Sequence, residues 1–202
     1  MNIQHSFLSR ISLVLMLAFL GLSVKAERIV FDMSVLGIKI GQMVLTRTIV
    51  NDSIEHYTIK SVGKTDFLWL KREEVRTFKV EYRQGKLFSS DFEYFENGGQ
   101  KEWSTIRFDG EKYVVKSNEG NKEIKHPLYF SHIKLYFDPN WKTERLFCEE
   151  NCSYATLKRN AQTLNMVSQD GNKSTYHLKD GRVESIDFHL AVATVKLTRV
   201  NK

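Results

Sequence analysis

The chain has 202 residues, room for one domain or a small pair. Its 42% apolar and 27% charged residues are those of a globular protein, and two prolines exclude collagen-like or Pro-rich chains. Two cysteines exclude a multi-bridge disulfide scaffold or an iron–sulfur protein, and a formal charge of +6 raises the question of an anionic partner.

The first 26 residues read as a secretory signal peptide. A start carrying Arg10 precedes the apolar run Ile11–Leu22, and Ser23-Val24-Lys25-Ala26 places small or medium residues before a cut at Glu27. The run is too short to span a bilayer, which takes about 20 apolar residues. No cysteine follows it to carry a lipid anchor. Removal of Arg10 and Lys25 leaves +6 − 2 = +4 on residues 27–202, read as one domain. Basic residues alternate with acidic ones, as in Lys79-Val80-Glu81-Tyr82-Arg83, so no nucleic-acid binding is expected, and with no second apolar run of spanning length the expected product is soluble.

The dominant period is two. In Arg76–Arg83, Phe78, Val80 and Tyr82 face one way and Thr77, Lys79 and Glu81 the other, the pattern of a half-buried antiparallel strand. Ile29–Val35 repeats it, and so does Met43–Ile49 with Arg47 as the exception. Hairpin punctuation recurs about every ten residues: Asn51-Asp52, Gln84-Gly85, Asn97-Gly98, Asp109-Gly110, Glu119-Gly120, Asp170-Gly171 and Asp180-Gly181. Tyr176–Lys179, the Asp180-Gly181 turn and Arg182–Phe188 form a late hairpin. Near Ala191 the alternation changes phase, which marks either a bulge or an unmarked turn. Pro127–Phe137 is apolar almost all round and reads as a short helix, a buried strand or an aromatic-rich loop. The fold class is all-β: one strongly curled antiparallel sheet or partly open barrel of about ten strands, with the Pro127 segment covering its concave side. A β-sandwich is the alternative.

Phe31-Asp32-Met33-Ser34-Val35-Leu36-Gly37-Ile38-Lys39-Ile40-Gly41 with the strand Met43–Ile49, and the closing Tyr176-His177-Leu178-Lys179-Asp180-Gly181-Arg182-Val183, resemble the two ends of exported bacterial proteins grouped as domains of unknown function. The resemblance implies a curled, half-barrel antiparallel sheet and a periplasmic or extracellular location. It implies no reaction. The shape is also similar to the half-barrel carriers of lipoproteins, at the level of fold alone.

Candidate chemistry is sparse. Cys148 and Cys152, in Cys148-Glu149-Glu150-Asn151-Cys152, are expected to bond to each other in an oxidising compartment, a loop worth about 2 kcal/mol. A redox pair is the weaker reading, because Glu149 and Glu150 would raise a thiol's pKa. His56, His126, His132, His177 and His189 show no zinc-site spacing, so no metal and no cofactor are expected. No Gly-x-Ser-x-Gly elbow marks a nucleophile. Two aromatic clusters interrupt the alternation: Phe67-Leu68-Trp69-Leu70, and Leu128-Tyr129-Phe130 with Leu135-Tyr136-Phe137. They either plug the core or line an apolar groove. On the second reading Phe67, Trp69, Tyr129, Phe130, Tyr136 and Phe137 bind a hydrophobic small molecule or lipid. The function expected is thus a non-enzymatic exported protein that binds an apolar ligand or an envelope protein. The alternatives are a hydrolase acting on an envelope or extracellular polymer, built around His132, His177 or His189, and a structural envelope module.

Overall fold

A computed structural model describes residues 25–67, 70–190 and 193–200. The segment Met1–Val24, which holds nearly all of the expected signal peptide, lies outside the described residues. The first strand begins two residues before the expected cut.

The strands are β1 (Lys25–Val35), β2 (Ile38–Asn51), β3 (Ile54–Phe67), β4 (Leu70–Arg83), β5 (Lys86–Glu96), β6 (Gly99–Phe108), β7 (Tyr113–Ser117) and β8 (Gly120–Ile124). The helix α1 (His132–Leu135) follows, and then β9 (Arg145–Cys148), β10 (Ser153–Arg159), β11 (Thr163–Val167), β12 (Lys173–Lys179), β13 (Arg182–His189) and β14 (Thr194–Arg199). All belong to one antiparallel sheet of 14 strands in the order β8-β7-β6-β5-β4-β3-β2-β1-β14-β13-β12-β11-β10-β9. The chain therefore meanders twice, and the pairing of β1 with β14 joins the two meanders. The curled open sheet expected from the hairpin rhythm is found, with 14 strands rather than about ten. The change of phase near Ala191 lies outside the described residues; on either side of it β13 ends at His189 and β14 begins at Thr194, antiparallel to β13.

Alternation decides what is inside. Phe78, Val80 and Tyr82 of β4 are buried, as are Ile29 and Phe31 of β1, Met43 and Leu45 of β2, and Tyr57 and Ile59 of β3. Register shifts at Met33/Ser34, Ile49/Asn51, Glu81/Tyr82, Tyr94/Phe95 and His177/Leu178 add local twist, and the sheet rolls up instead of lying flat. The roll brings the β9–β10 turn against β6, where the Ser104 hydroxyl donates to the Glu149 carbonyl at 2.8 Å. The two edge strands, β8 and β9, do not pair with each other. Leu146, Phe147 and Cys148 are all buried, so β9 is covered on both faces, and Ser131 bridges to Phe147 along its free edge.

The segment between β8 and β9 fills the concave side. Leu128, Phe130, Ser131, Ile133, Leu135 and Tyr136 are buried, and α1 supplies one short turn of helix within it. Tyr136 meets Phe31 edge-on at 6.4 Å, and the Lys134 ammonium sits 3.7 Å from the Tyr82 ring centre. The Leu87 N–H donates to the Leu128 carbonyl at 2.8 Å, and the Leu128 N–H donates to the Tyr113 hydroxyl at 3.1 Å. Backbone inside a sheet must find such partners.

Gly37 and Gly41, which frame the resemblance at the chain's start, do different work. Gly37, at φ +80°, completes the β1–β2 turn. Gly41 sits beside the β1–β2 register shift and lies so close to β3 that an added Cβ would stand 2.0 Å from the Val62 carbonyl oxygen. Gly41→Ala is therefore expected to destabilise the protein by about 3 kcal/mol. A denaturant titration checks this; a loss under about 1 kcal/mol would mean that β2 and β3 part more easily than their pairing suggests.

Candidate functional site

The inner segment is anchored on a buried carboxyl. Glu149, in the β9–β10 turn, is 1% exposed. It accepts a short hydrogen bond from the Ser131 hydroxyl, and backbone N–H groups of His132 and Ile133 also point at it. Ser131 has one proton to give, so the Tyr82 hydroxyl, 2.6 Å away, donates to Ser131. No cation completes this chain among the described residues. Burial consequently pushes the Glu149 carboxyl up to about 7, against the lowering effect of its donors.

One residue on, His132 points toward the open interior. Its Nε2 lies 2.5 Å from the Tyr176 hydroxyl, and its ring packs against Tyr136 at 5.2 Å. Burial drives its pKa down to about 4, so the imidazole is neutral at pH 7. Tyr136 and Tyr176 are held well above the ordinary phenol range, again chiefly by burial.

Two chambers open beside this imidazole. The first, about 440 Å³, is apolar. Met33 and Val35 of β1, Ile40 and Met43 of β2, Ile59 of β3, Phe78 of β4, Val195 and Leu197 of β14 and Tyr136 form its walls. The second, about 410 Å³, is polar, with Glu102, Asn118, Glu119, Asn151, Ser168, Asp170, Asn172, Lys173 and Ser174 around it. Arg76, His132, Glu150, Phe188 and Leu190 line both, so one wall is shared. Volumes of this size suit a small-molecule ligand.

The charges at that wall are unevenly satisfied. Arg72 is held, with one terminal nitrogen 2.7 Å from Glu96 and 2.8 Å from the Tyr94 hydroxyl. Arg76 is held less closely. Its guanidinium is 3.9 Å from Glu74 and lies over the Tyr94 ring at 4.5 Å, and its Nε, like those of Arg47 and Arg72, is buried without a hydrogen-bond partner. Burial raises the pKa of Glu150, partly offset by Arg76.

The aromatic residues singled out in the sequence are scattered by this geometry. Tyr136 lines the apolar chamber. Phe137 packs edge-on against Tyr57 at 5.4 Å. Phe130 is buried and stacks on Trp141 at 4.9 Å, while Tyr129 is 47% exposed. Phe67 ends β3; its side chain, and all of Trp69, lie outside the described residues. Arg76, Glu150 and the aliphatic wall were not singled out. The inward phase of β1 to β4 is the signal that could have found the wall.

Cys148 and Cys152 are free, buried thiols in this structure. Burial raises both thiol pKa values, with Glu149 adding to the shift, which keeps them protonated and poor nucleophiles. The Cys152 thiol donates to the Glu149 carbonyl at 3.5 Å. Of the three histidines considered for hydrolysis, His132 bonds Tyr176, His177 pairs with Asp187 at 2.8 Å, and His189 approaches the hydroxyls of Thr175 and Thr194. None bonds a serine among the described residues. Nor do three or more His, Cys, Asp or Glu residues gather there as a metal cage would require.

Residues 31–200 match the family model DUF6134, a domain of unknown function, and the chain belongs to that family. Its fold is similar to the crystal structure of a beta-barrel-like protein of the domain of unknown function DUF1849 from Brucella abortus. The TM-score is 0.60 at 11% identity, over 90% of this chain and 98% of that one. No curated protein shows significant sequence similarity to the chain.

Proposed function

We propose that this DUF6134 member is a non-enzymatic exported protein that holds an amphiphile inside its rolled sheet. The tail occupies the aliphatic chamber and the head occupies the polar recess. One observation carries the reading: two chambers of opposite chemistry share a single wall, at Arg76, His132, Glu150, Phe188 and Leu190. A molecule with one apolar and one polar end satisfies both at once. Its head would also meet the Arg76 guanidinium, which lines both chambers and stands 3.9 Å from its carboxylate partner Glu74.

Titration with dansyl-undecanoic acid, below its micellar range, tests the reading. The expected result is saturable 1:1 binding with Kd on the order of 1 μM, competed by unlabelled long-chain amphiphiles. Fluorescence that rises linearly without saturation would contradict it. Export belongs to the same proposal: removal of residues 1–26, residence in the envelope or outside the cell, and a Cys148–Cys152 bond formed there. N-terminal sequencing and thiol labelling of protein from that fraction check all three. An intact N-terminus with two labelled thiols would overturn this part.

A further inference from the structure

We propose that the β1–β2 turn, with Leu190 beside it, is a lip that inserts into the surface of a lipid bilayer at the mouth of the apolar chamber. Only the lip's service in loading that chamber rests on the amphiphile reading; the docking stands on its own observations.

Leu36 is the residue least expected where it stands. It is 87% exposed and holds φ at +49° in a two-residue turn completed by Gly37. Gln84 before Gly85, Asn97 before Gly98 and Asp180 before Gly181, all polar, hold the same conformation at other hairpins of this sheet. Asn and Asp tolerate positive φ, whereas a leucine there is strained and leaves its side chain in water. Nothing inside the fold repays that choice, so the side chain's partner lies outside.

Ile38 continues the feature. It pairs with Val35, which lines the apolar chamber, and cross-strand partners point to one face. Ile38 thus extends the chamber wall outward, where it is 57% exposed. Leu190 lines the same chamber and is 52% exposed. The register Val35–Val195–Phe188 puts the end of β13 two strand spacings, about 10 Å, from the β1–β2 turn. Val35 and Leu190 thus carry the chamber's lining to strand ends beside the exposed Ile38 and Leu36.

The shape and charge favour a lipid surface over a protein. A stable protein interface buries more than about 1,000 Å², far beyond the three exposed apolar side chains that the described residues place there. A few apolar side chains reaching the acyl boundary suffice for reversible attachment to a membrane. Three lysines near the lip are paired with acids, Lys39 with Asp32 at 2.8 Å, Lys64 with Glu73 at 3.0 Å and Lys71 with Asp66 at 3.9 Å, while Lys196, opposite Ser34, has no ion pair among the described residues. The tip itself, Leu36, Gly37, Ile38 and Leu190, carries no charged side chain, so attachment is hydrophobic and insensitive to salt.

Flotation of the chain from Lys25, which contains every described strand, with phosphatidylcholine vesicles tests the proposal. Wild type is expected to float at low and high salt alike. Leu36→Asn and Ile38→Thr should each lower the bound fraction about five-fold. Leu36→Asn should also raise the melting temperature by a few degrees, because Asn suits the turn better. A gain in stability with a loss of binding separates a docking role from a structural one. Failure to float, full binding by Leu36→Asn, or binding that needs anionic lipid and disappears in salt would each overturn the proposal. So would a wild-type dimer that Leu36→Asn converts to a monomer, since the lip would then bind a second copy. If the dansyl ligand still binds while flotation fails, the lip falls and the cavity reading stands; the reverse pattern separates them the other way.

Discussion

Replacing Glu149 with Gln is expected to make the protein's stability, measured against wild type, rise with pH between about 4.5 and 7. Glu149 has a folded pKa of about 7 against 4.5 unfolded. Between those values the native state holds a proton that the unfolded state has lost. Stability from this group is complete below about pH 4.5 and falls as pH rises through 7, by about 3 kcal/mol. His132 does the reverse. Its folded pKa of about 4 lies below the unfolded 6.5, so the unfolded state binds the extra proton, and stability rises by about 3 kcal/mol from pH 4 to 6.5. The two slopes oppose each other between about pH 4.5 and 6.5 and nearly cancel. Measured as differences from wild type in urea, Glu149→Gln should become relatively more stable as pH rises through this window, and His132→Gln relatively less. Parallel profiles for all three proteins would show that neither group is buried as described.

Gly63→Trp is expected to abolish binding of the amphiphile while leaving the fold intact. Gly63 lines the apolar chamber from β3, and its backbone conformation suits any residue. An added Cβ would meet only the mobile end of Met33, at 3.4 Å. The indole would extend into the space reserved for the tail. We expect affinity for dansyl-undecanoic acid to fall more than about 10-fold, or about 1.4 kcal/mol, with a melting temperature within a few degrees of wild type. Unchanged affinity would place the ligand elsewhere. The contrast with Gly41 is instructive, since the two glycines face each other across β2 and β3 and only Gly41 is pressed against backbone.

Much of the fold was legible because its signal is local. Phe78, Val80 and Tyr82 alternate with charged residues, and that alternation alone places them in the core. Asp180-Gly181 marks its hairpin through a backbone preference that the two residues carry themselves. β9 was not legible. Leu146, Phe147 and Cys148 are buried in succession because the sheet rolls over both faces of an edge strand, which removes the period of two. The strand count came out low for such reasons.

The site was less legible than the fold. Tyr136 belongs to the chamber, but Phe130 and Phe137 pack against other aromatic rings instead, so aromatic content alone pointed at the filling of the sheet as much as at a cavity. The shared wall joins Arg76, His132, Glu150 and Phe188, residues far apart in the chain. Only the roll of the sheet brings them together, and no spacing in the sequence encodes it. Glu149 reads in sequence as one of two turn acids. Its burial comes from the Tyr82–Ser131 chain and the backbone of α1, which are tertiary features.

The central claim is that the rolled sheet encloses an amphiphile, and native mass spectrometry of protein purified without detergent tests it most directly. The chain is predicted to carry one amphiphile per molecule, or to take up one on incubation with long-chain amphiphiles. Organic extraction should release the adduct, and Gly63→Trp should lack it. A bare mass for the wild type, both as purified and after that incubation, would contradict the account.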